Sequence, residues 1–223
     1  AGVEGFDYAC LPDEEAEGAR EELIETKGFF IFPSQLFSNV RARAPQDENL
    51  NETLDAVFRS IEDSAKGSAS EDDLKGLFDD IDVNSNKLGG TVAERNKRLV
   101  KLMNGIGDMK LGGYENNTID AFGDAYEYLM GMYASNAGKS GGEYFTPQEV
   151  SELLTKLTVV GKTEVNKVYD PACGSGSLLL RTARSGQADE IFGQEKNPTT
   201  FNLCRMNMLL HGIKYNDFDI RNG

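Results

Sequence analysis

The chain has 223 residues, a net charge of −14 and three cysteines. The length suits one large or two small domains, and no apolar run reaches the roughly 18–20 residues that span a membrane. Cys10, Cys173 and Cys204 lie far apart with no C-x-x-C pair, which excludes a disulfide framework and a structural zinc site and points to a reducing cytoplasm.

The charge is uneven. Residues 1–80 carry 20 acids and 7 bases, whereas residues 81–223 carry 17 and 16. Unspecific affinity for nucleic acid needs Lys and Arg on phosphates, so the chain is not expected to hold DNA strongly by itself. Residues 1–137 read as helical. Leu54, Val57, Phe58 and Ile61 share one face of a helix from Glu52 to Ile61. Ser70 and Asp73 form a capping signal for a second helix whose face continues through Leu74, Leu77, Phe78 and Ile81. Asp82, Asn84 and Asn86 have the spacing of a calcium loop, but its glycine position is Lys87 and its last ligand position is Ala93, so polar loop residues explain them better. Thr91-Val92-Ala93-Glu94 is a capping box ahead of Leu99, Leu102, Met103 and Ile106. A further helix from Asp120 to Ala134 is expected to bury Phe122, Tyr126, Leu129, Met130 and Tyr133.

From residue 138 onward the pattern becomes α/β. Gly138-Lys139-Ser140 is not a triphosphate loop, because the earlier Gly of that motif is missing and a helix precedes it. Thr146 is expected to cap a helix with Pro147 at its first position and Val150, Leu153, Leu154 and Leu157 as its buried stripe. Val165 to Asp170 reads as a strand, Pro171 to Gly176 as a tight loop and Ser177 to Thr182 as a helix. Gly174 and Gly176 allow positive φ and close approach of a ligand, and the helix start offers unbonded N–H groups. A second strand, Glu190 to Glu195, precedes a helix capped by Asn197-Pro198 and ended by His211-Gly212. A third strand spans Asp217 to Arg221. This alternation predicts a parallel sheet with right-handed crossovers and ligands at the carboxyl ends of its strands.

The loop also selects its ligand. Asp170 at its head disfavours a bare phosphate and suits an amino group, such as that of S-adenosyl-L-methionine. A dinucleotide loop would need Gly at position 179, which is Leu. Glu195 stands where an acid accepts hydrogen bonds from ribose hydroxyls. Cys173 reads as a small residue behind the loop, and His211 as a helix C-terminal residue favoured by the dipole.

Three blocks then carry a resemblance: Gly142-Glu143-Tyr144-Phe145-Thr146-Pro147; Asp170-Pro171-Ala172-Cys173-Gly174-Ser175-Gly176-Ser177; and Gly193-Gln194-Glu195-Lys196-Asn197-Pro198 with Arg205-Met206-Asn207-Met208 and Leu210-His211-Gly212. As an ordered set they resemble the modification (M) subunit of type I restriction-modification systems, an adenine-specific DNA methyltransferase. The resemblance implies a helical N-terminal domain over 1–137. A partial Rossmann-like, S-adenosylmethionine-dependent methyltransferase domain would follow over 138–223. It implies that Glu143, Tyr144, Phe145, Thr146, Pro147 and Gln148 line the methionine end of the donor. Asp170, Gly174, Ser175, Gly176 and Ser177 would hold its amino-acid moiety, and Glu195 its ribose. It further implies a specificity (S) subunit, a second M subunit, a restriction (R) subunit for cleavage, and double-stranded DNA as the assembly's substrate.

The family's Asn/Asp-Pro-Pro-Phe/Tyr block, which binds the target amine of a flipped base, is missing, because all six prolines are isolated. No catalytic residue and no metal ligand is therefore assigned. The start at Ala1 and the end at Gly223 lead us to expect a piece of a longer protein that cannot methylate DNA alone. Three strands also leave open sheet edges, an association hazard. Two alternatives stay open: a methyltransferase acting on RNA or a protein amide, and an assembly module without chemistry.

Overall fold

In the computed structural model, residues 7–109, 120–136 and 146–223 are described. Two compact units, Ala1–Lys110 and Leu111–Gly223, divide the chain.

The first unit is helical: α1 (Asp13–Ala16), α2 (Arg20–Lys27), α3 (Phe37–Arg43), α4 (Leu50–Ser64), α5 (Glu71–Leu74) and α6 (Val92–Gly107), with short 3-10 turns between several of them. Its core gathers Val40, Ala44, Leu50, Val57, Val83, Leu99 and Met103, against which Leu54, Phe58 and Ile61 pack. The expected face of α4 is thus the one that meets the core. A buried amide network ties α4 to α6. Asn96 Oδ1 accepts from Asn51 N at 3.1 Å, and Asn96 Nδ2 donates to the Glu48 carbonyl at 2.7 Å. Asn51 Nδ2 donates to Asn84 Oδ1 at 2.6 Å, which gives Asn84 of the calcium-like triplet a structural task. The capping box at Thr91 is present in both directions. Behind it Leu99 and Met103 are buried, while Leu102 and Ile106 are exposed.

The helix expected from Ser70 through Ile81 is only the single turn α5. Lys75 leaves helical geometry, and Gly76 takes φ 66°. The carboxylate of Glu62 then accepts from Gly76 N and Phe78 N, offering the backbone partners that a helix would otherwise supply. Ser70 Oγ does not cap; it donates to the Gly28 carbonyl. Leu74 and Leu77 are buried nonetheless, Phe78 stacks on Phe58, and Ile81 is exposed.

The second unit contains α7 (Asp120–Asn136), α8 (Gln148–Thr158), β1 (Lys167–Asp170), α9 (Ser177–Gly186), β2 (Glu190–Glu195), α10 (Pro198–Leu210) and β3 (Phe218–Asn222). The strands pair in the order β1-β2-β3, both pairs parallel. Leu179, Leu180 and Ala183 of α9 meet Ile191, Phe218, Ile220, Cys204 and Met208 in one core. Tyr169, on the alternate side of β1, is exposed.

Sequence placed α7 with the helical part. It packs on α10, with Glu127 also paired to Arg181 of α9 at 3.6 Å, and it falls in the second unit. Tyr126 Oη donates to the Leu203 carbonyl at 3.2 Å, and Gly123 lies so close to the His211 ring that a Cβ would come within 2.3 Å of it. Met130 is buried as expected, whereas Leu129 is exposed. The side chains of Phe122 and Tyr133 lie outside the described residues.

The apolar stripe of α8 also differs from expectation. Val150, Leu153, Leu154 and Leu157 are all exposed, and the buried residues are Ser151 and Thr155. The small polar face is the one that meets α9, where Thr155 Oγ1 and Thr182 Oγ1 lie 3.1 Å apart. One turn further on, Val159 touches Gly186 at the same sequence offset, so α8 and α9 run in the same direction. The start of α8 and the start of α9 therefore lie at the same end of the unit, beside the carboxyl end of β1.

Candidate functional site

The loop between β1 and α9 is built from its backbone outward. Asp170 ends β1, and one of its carboxylate oxygens accepts from Ala172 N at 2.9 Å, closing the first turn. Gly174 and Gly176 take φ 56° and 83°, the left-handed region that side chains avoid. Gly176 has a second reason to lack a side chain: a Cβ there would sit 2.7 Å from both Cys204 Sγ and Met208 Cε. Gly176 N donates to the Cys173 carbonyl, and Cys173 N to the Gln194 carbonyl, which fastens the loop to the end of β2.

Glu195 joins the two strand ends. One oxygen accepts from Gly174 N at 3.1 Å and the other from Asn197 N at 2.7 Å. A carboxylate has about four acceptor positions, so these two bonds leave capacity for hydroxyl donors. The Asn197 side chain caps α10 through Thr200 N, as the sequence suggested, with Pro198 as first helical residue. Asn222 on β3 donates from Nδ2 to the carbonyls of Glu195 and Lys196 at 2.8 and 3.0 Å.

Cys173 and Cys204 are buried with their sulfurs 3.8 Å apart. The hydrogen bond with Cys173, together with burial, pushes the Cys204 thiol well above its usual range. That leaves it a packing group rather than a nucleophile. His211 follows the last turn of α10 and is buried. Arg184 lies 2.8 Å from its Nδ1; an arginine can only donate, so Nδ1 accepts and the ring is neutral there. His211 stands at the C-terminal cap of α10, where the sequence placed it.

Of the expected site residues, Asp170, Gly174, Ser175, Gly176, Ser177 and Glu195 come together at the carboxyl ends of β1 and β2. Glu143, Tyr144 and Phe145 lie outside the described residues. Thr146 and Pro147 precede α8, with Gln148 as its first residue. Thr146 was expected to be the cap and Pro147 the first helical residue. Instead Pro147 is the capping residue, and its carbonyl accepts from Val150 N and Ser151 N. Pro147 itself is extended, with φ −53° and ψ 142°, so the helix starts one residue later than expected.

A donor of the S-adenosylmethionine type fits this set. The loop has no side chain over Gly174 or Gly176, and α9 begins with N–H groups that lack helical partners. The Ser177 hydroxyl at that point is buried without a hydrogen-bond partner, a group that burial would otherwise penalise. A cavity of about 310 Å³ runs along β1 and the end of α8, lined by Thr158, Val159 and Val165 as well as Asp170, Pro171 and Leu178; of the expected site residues Asp170 alone lines it. Among the described residues, no group of three or more His, Cys, Asp or Glu could hold a metal ion. No helix among them is long and apolar enough to cross a membrane.

Sequence reasoning left one contributor without a role. Asn207 on α10 donates from Nδ2 to the Ser175 carbonyl at 3.0 Å in a buried position. Its signal was a polar face on an apolar helix, since Thr200, Cys204, Asn207 and His211 recur at helical spacing and all are buried.

Comparison with known proteins agrees with this architecture. Residues 6–106 match the HsdM N-terminal domain family and residues 117–223 the N-6 DNA Methylase family. The chain is 48% identical, over 97% of its length, to the methylase subunit of the type I restriction enzyme MpnII of Mycoplasma pneumoniae, of which it covers 42%. It is 34% identical over 66% of its length to the MjaVIII methylase subunit of Methanocaldococcus jannaschii, covering 27% of that protein. The crystal structure of a type I restriction-modification methyltransferase subunit from Streptococcus thermophilus superposes with a TM-score of 0.80 at 32% identity, over 96% of this chain and 44% of that one. The chain spans less than half the length of each of these relatives. With a helical HsdM-type unit followed by a parallel-sheet N-6 methylase unit, the chain belongs to the methylase subunits of type I restriction-modification enzymes.

Proposed function

We propose that this chain carries the donor half of a site-specific adenine DNA methyltransferase and binds S-adenosyl-L-methionine at the Asp170–Ser177 loop. The observation that carries the reading is the loop itself: two left-handed glycines at the carboxyl end of a parallel strand, tied by Glu195 to the next strand end. Asp170 supplies a negative charge for the donor's ammonium group. Gly174 to Ser177 supply close backbone approach and the N–H groups of a helix start for its carboxylate. Glu195 accepts from ribose hydroxyls with its remaining lone pairs, and Glu143 to Gln148 line the methionine end, consistent with the parallel course of α8 and α9. When bound, the donor supplies an electrophilic methyl group; the residues named here orient it and screen it from water.

The receiving group is the exocyclic amine of adenine in double-stranded DNA. These 223 residues contain no Pro-Pro pair, and so no Asn/Asp-Pro-Pro-Phe/Tyr block to bind that amine. The chain alone therefore binds donor without transferring methyl. In the parent protein it works with a specificity subunit, a second methylase subunit and, for cleavage, a restriction subunit, in the cytoplasm. The near balance of charge beyond residue 80 fits a chain that leaves most DNA contact to partners.

Calorimetric titration of the chain with S-adenosyl-L-methionine tests the donor reading. One site is expected, weakened at least tenfold in Glu195→Gln, which keeps one acceptor and turns an N–H₂ toward a backbone N–H. No binding by the folded chain overturns the reading. Methyl transfer from labelled donor to duplex DNA by the chain alone overturns the claim that it lacks the acceptor half.

A further inference from the structure

We infer that Asn207 is a positioning residue for the donor loop: from α10 it fixes the Ser175–Gly176 peptide, so that the first-turn N–H groups of α9 stay presented to a ligand. This rests on the donor reading above.

Two bonds define that peptide. Its carbonyl accepts from Asn207 Nδ2 at 3.0 Å, and its N–H donates to the Cys173 carbonyl at 2.9 Å. Rotation of the peptide would break both, and the positive φ of Gly176 is where such a rotation is least hindered. The Cys173 bond lies within the loop and moves with it. The Asn207 bond alone of the two comes from a separate element.

The burial of Asn207 argues that it is not there for helix stability. The residue is 1% exposed, and its Oδ1 has no hydrogen-bond partner. An amide buried with one polar atom unsatisfied is a net cost, whereas an apolar residue of similar volume is close to neutral. Its neighbours on α10, Cys204 and Met208, are buried in the apolar core, Cys204 against the Cys173 sulfur. The one return visible for the amide is its bond to the loop.

That contrast separates positioning from stability. Replacing Asn207 by Leu removes an unsatisfied oxygen and leaves the Ser175 carbonyl without this donor, two effects of opposite sign. The melting temperature of Asn207→Leu should stay within about 4 °C of wild type, a spread of about 1 kcal/mol for a unit of this size. Amide hydrogen exchange of residues 174–178, measured without donor, should accelerate about tenfold. Affinity for S-adenosyl-L-methionine should fall about tenfold. Ile191→Val, a core lesion on β2 away from the loop, serves as the control: it should lower the melting temperature while leaving exchange at 174–178 and donor affinity unchanged. Asn207→Ser, which also lacks the amide, repeats the test if Asn207→Leu does not fold. Unchanged exchange in the Asn207 variants, or equal acceleration in Ile191→Val, overturns the inference. Failure of the wild-type chain to bind donor overturns the donor reading instead, and the exchange measurement still decides whether Asn207 holds the loop.

Discussion

Gly176 is the position at which backbone and packing demands on the loop coincide, and replacing it by alanine separates them. Its φ of 83° places it in the left-handed region, which costs a residue with a Cβ about 1–2 kcal/mol. The new Cβ would also stand 2.7 Å from Cys204 Sγ and from Met208 Cε, and overpacking of this kind costs about 1–3 kcal/mol. Gly176→Ala should therefore destabilise the second unit by about 2–5 kcal/mol, lowering its melting temperature by roughly 8–20 °C at about 4 °C per kcal/mol. Gly161 supplies the internal reference: its φ is 74°, yet nothing lies within 4 Å of an added Cβ. Gly161→Ala should show the backbone cost alone, about 1–2 kcal/mol. Differential scanning calorimetry of the two variants reads the difference. Adding Cys204→Ala to Gly176→Ala should recover about 1 kcal/mol beyond additivity, because the sulfur is one of the two atoms in the way. Equal losses at Gly161 and Gly176, or strict additivity with Cys204→Ala, would refute the claim that packing against α10 fixes the loop.

Three further outcomes follow from other contacts. Thr155→Val strands the Thr182 hydroxyl in a buried site and should cost about 1–3 kcal/mol in urea unfolding, while the Thr155→Val/Thr182→Val pair should regain most of it; equal losses in single and double variants would remove the hydroxyl pair as an α8–α9 link. Thr91→Ala deletes the capping box of α6 and should lower stability of the first unit by about 1 kcal/mol, visible as a lower urea midpoint at unchanged slope. Burial raises the Tyr126 phenol above its ordinary 10.0, so the unfolded chain ionises first. The stability this residue contributes is complete below pH 10.0 and is lost as pH rises from there toward the folded value. Wild type should lose about 1.4 kcal/mol more per pH unit than Tyr126→Phe over that alkaline range; parallel pH profiles would contradict it.

What the sequence revealed depended on how local the deciding contact was. The capping box at Thr91 and the Asn197-Pro198 start of α10 are satisfied within one turn, and both stand where the residues indicated. The three strands and the Asp170–Ser177 loop were legible because punctuation by glycine and proline surrounds short apolar runs. The helix expected through Ile81 failed at Gly76 because the carboxylate that accepts the broken backbone belongs to Glu62, in the last turn of α4. Apolar periodicity in α8 gave the helix but not its partner: Ser151 and Thr155 meet α9, and the leucines face outward. The helix α7 joins the second unit through Tyr126 and Gly123, whose partners Leu203 and His211 are remote in sequence.

The same distinction explains why half of the candidate site was hidden. Glycines and acids announce a ligand loop by their chemistry, but they do not say what holds it. A loop rich in left-handed glycine has much conformational freedom to lose, and its buried carbonyls and N–H groups each need a partner. Here the partners come from elements that follow the loop in sequence: Glu195 at the end of β2 for Gly174 N, and Asn207 in α10 for the Ser175 carbonyl. Asn222 in β3 in turn holds the Glu195 and Lys196 carbonyls. Glu195 and the polar face of α10 could be read in the sequence, but the segments they hold could not, because other elements separate each residue from its partner. The loop is thus pre-organised by the crossover units downstream of it, which lowers the ordering cost that binding must overcome. A change in β2, α10 or β3 can consequently weaken donor binding without touching any residue of the loop.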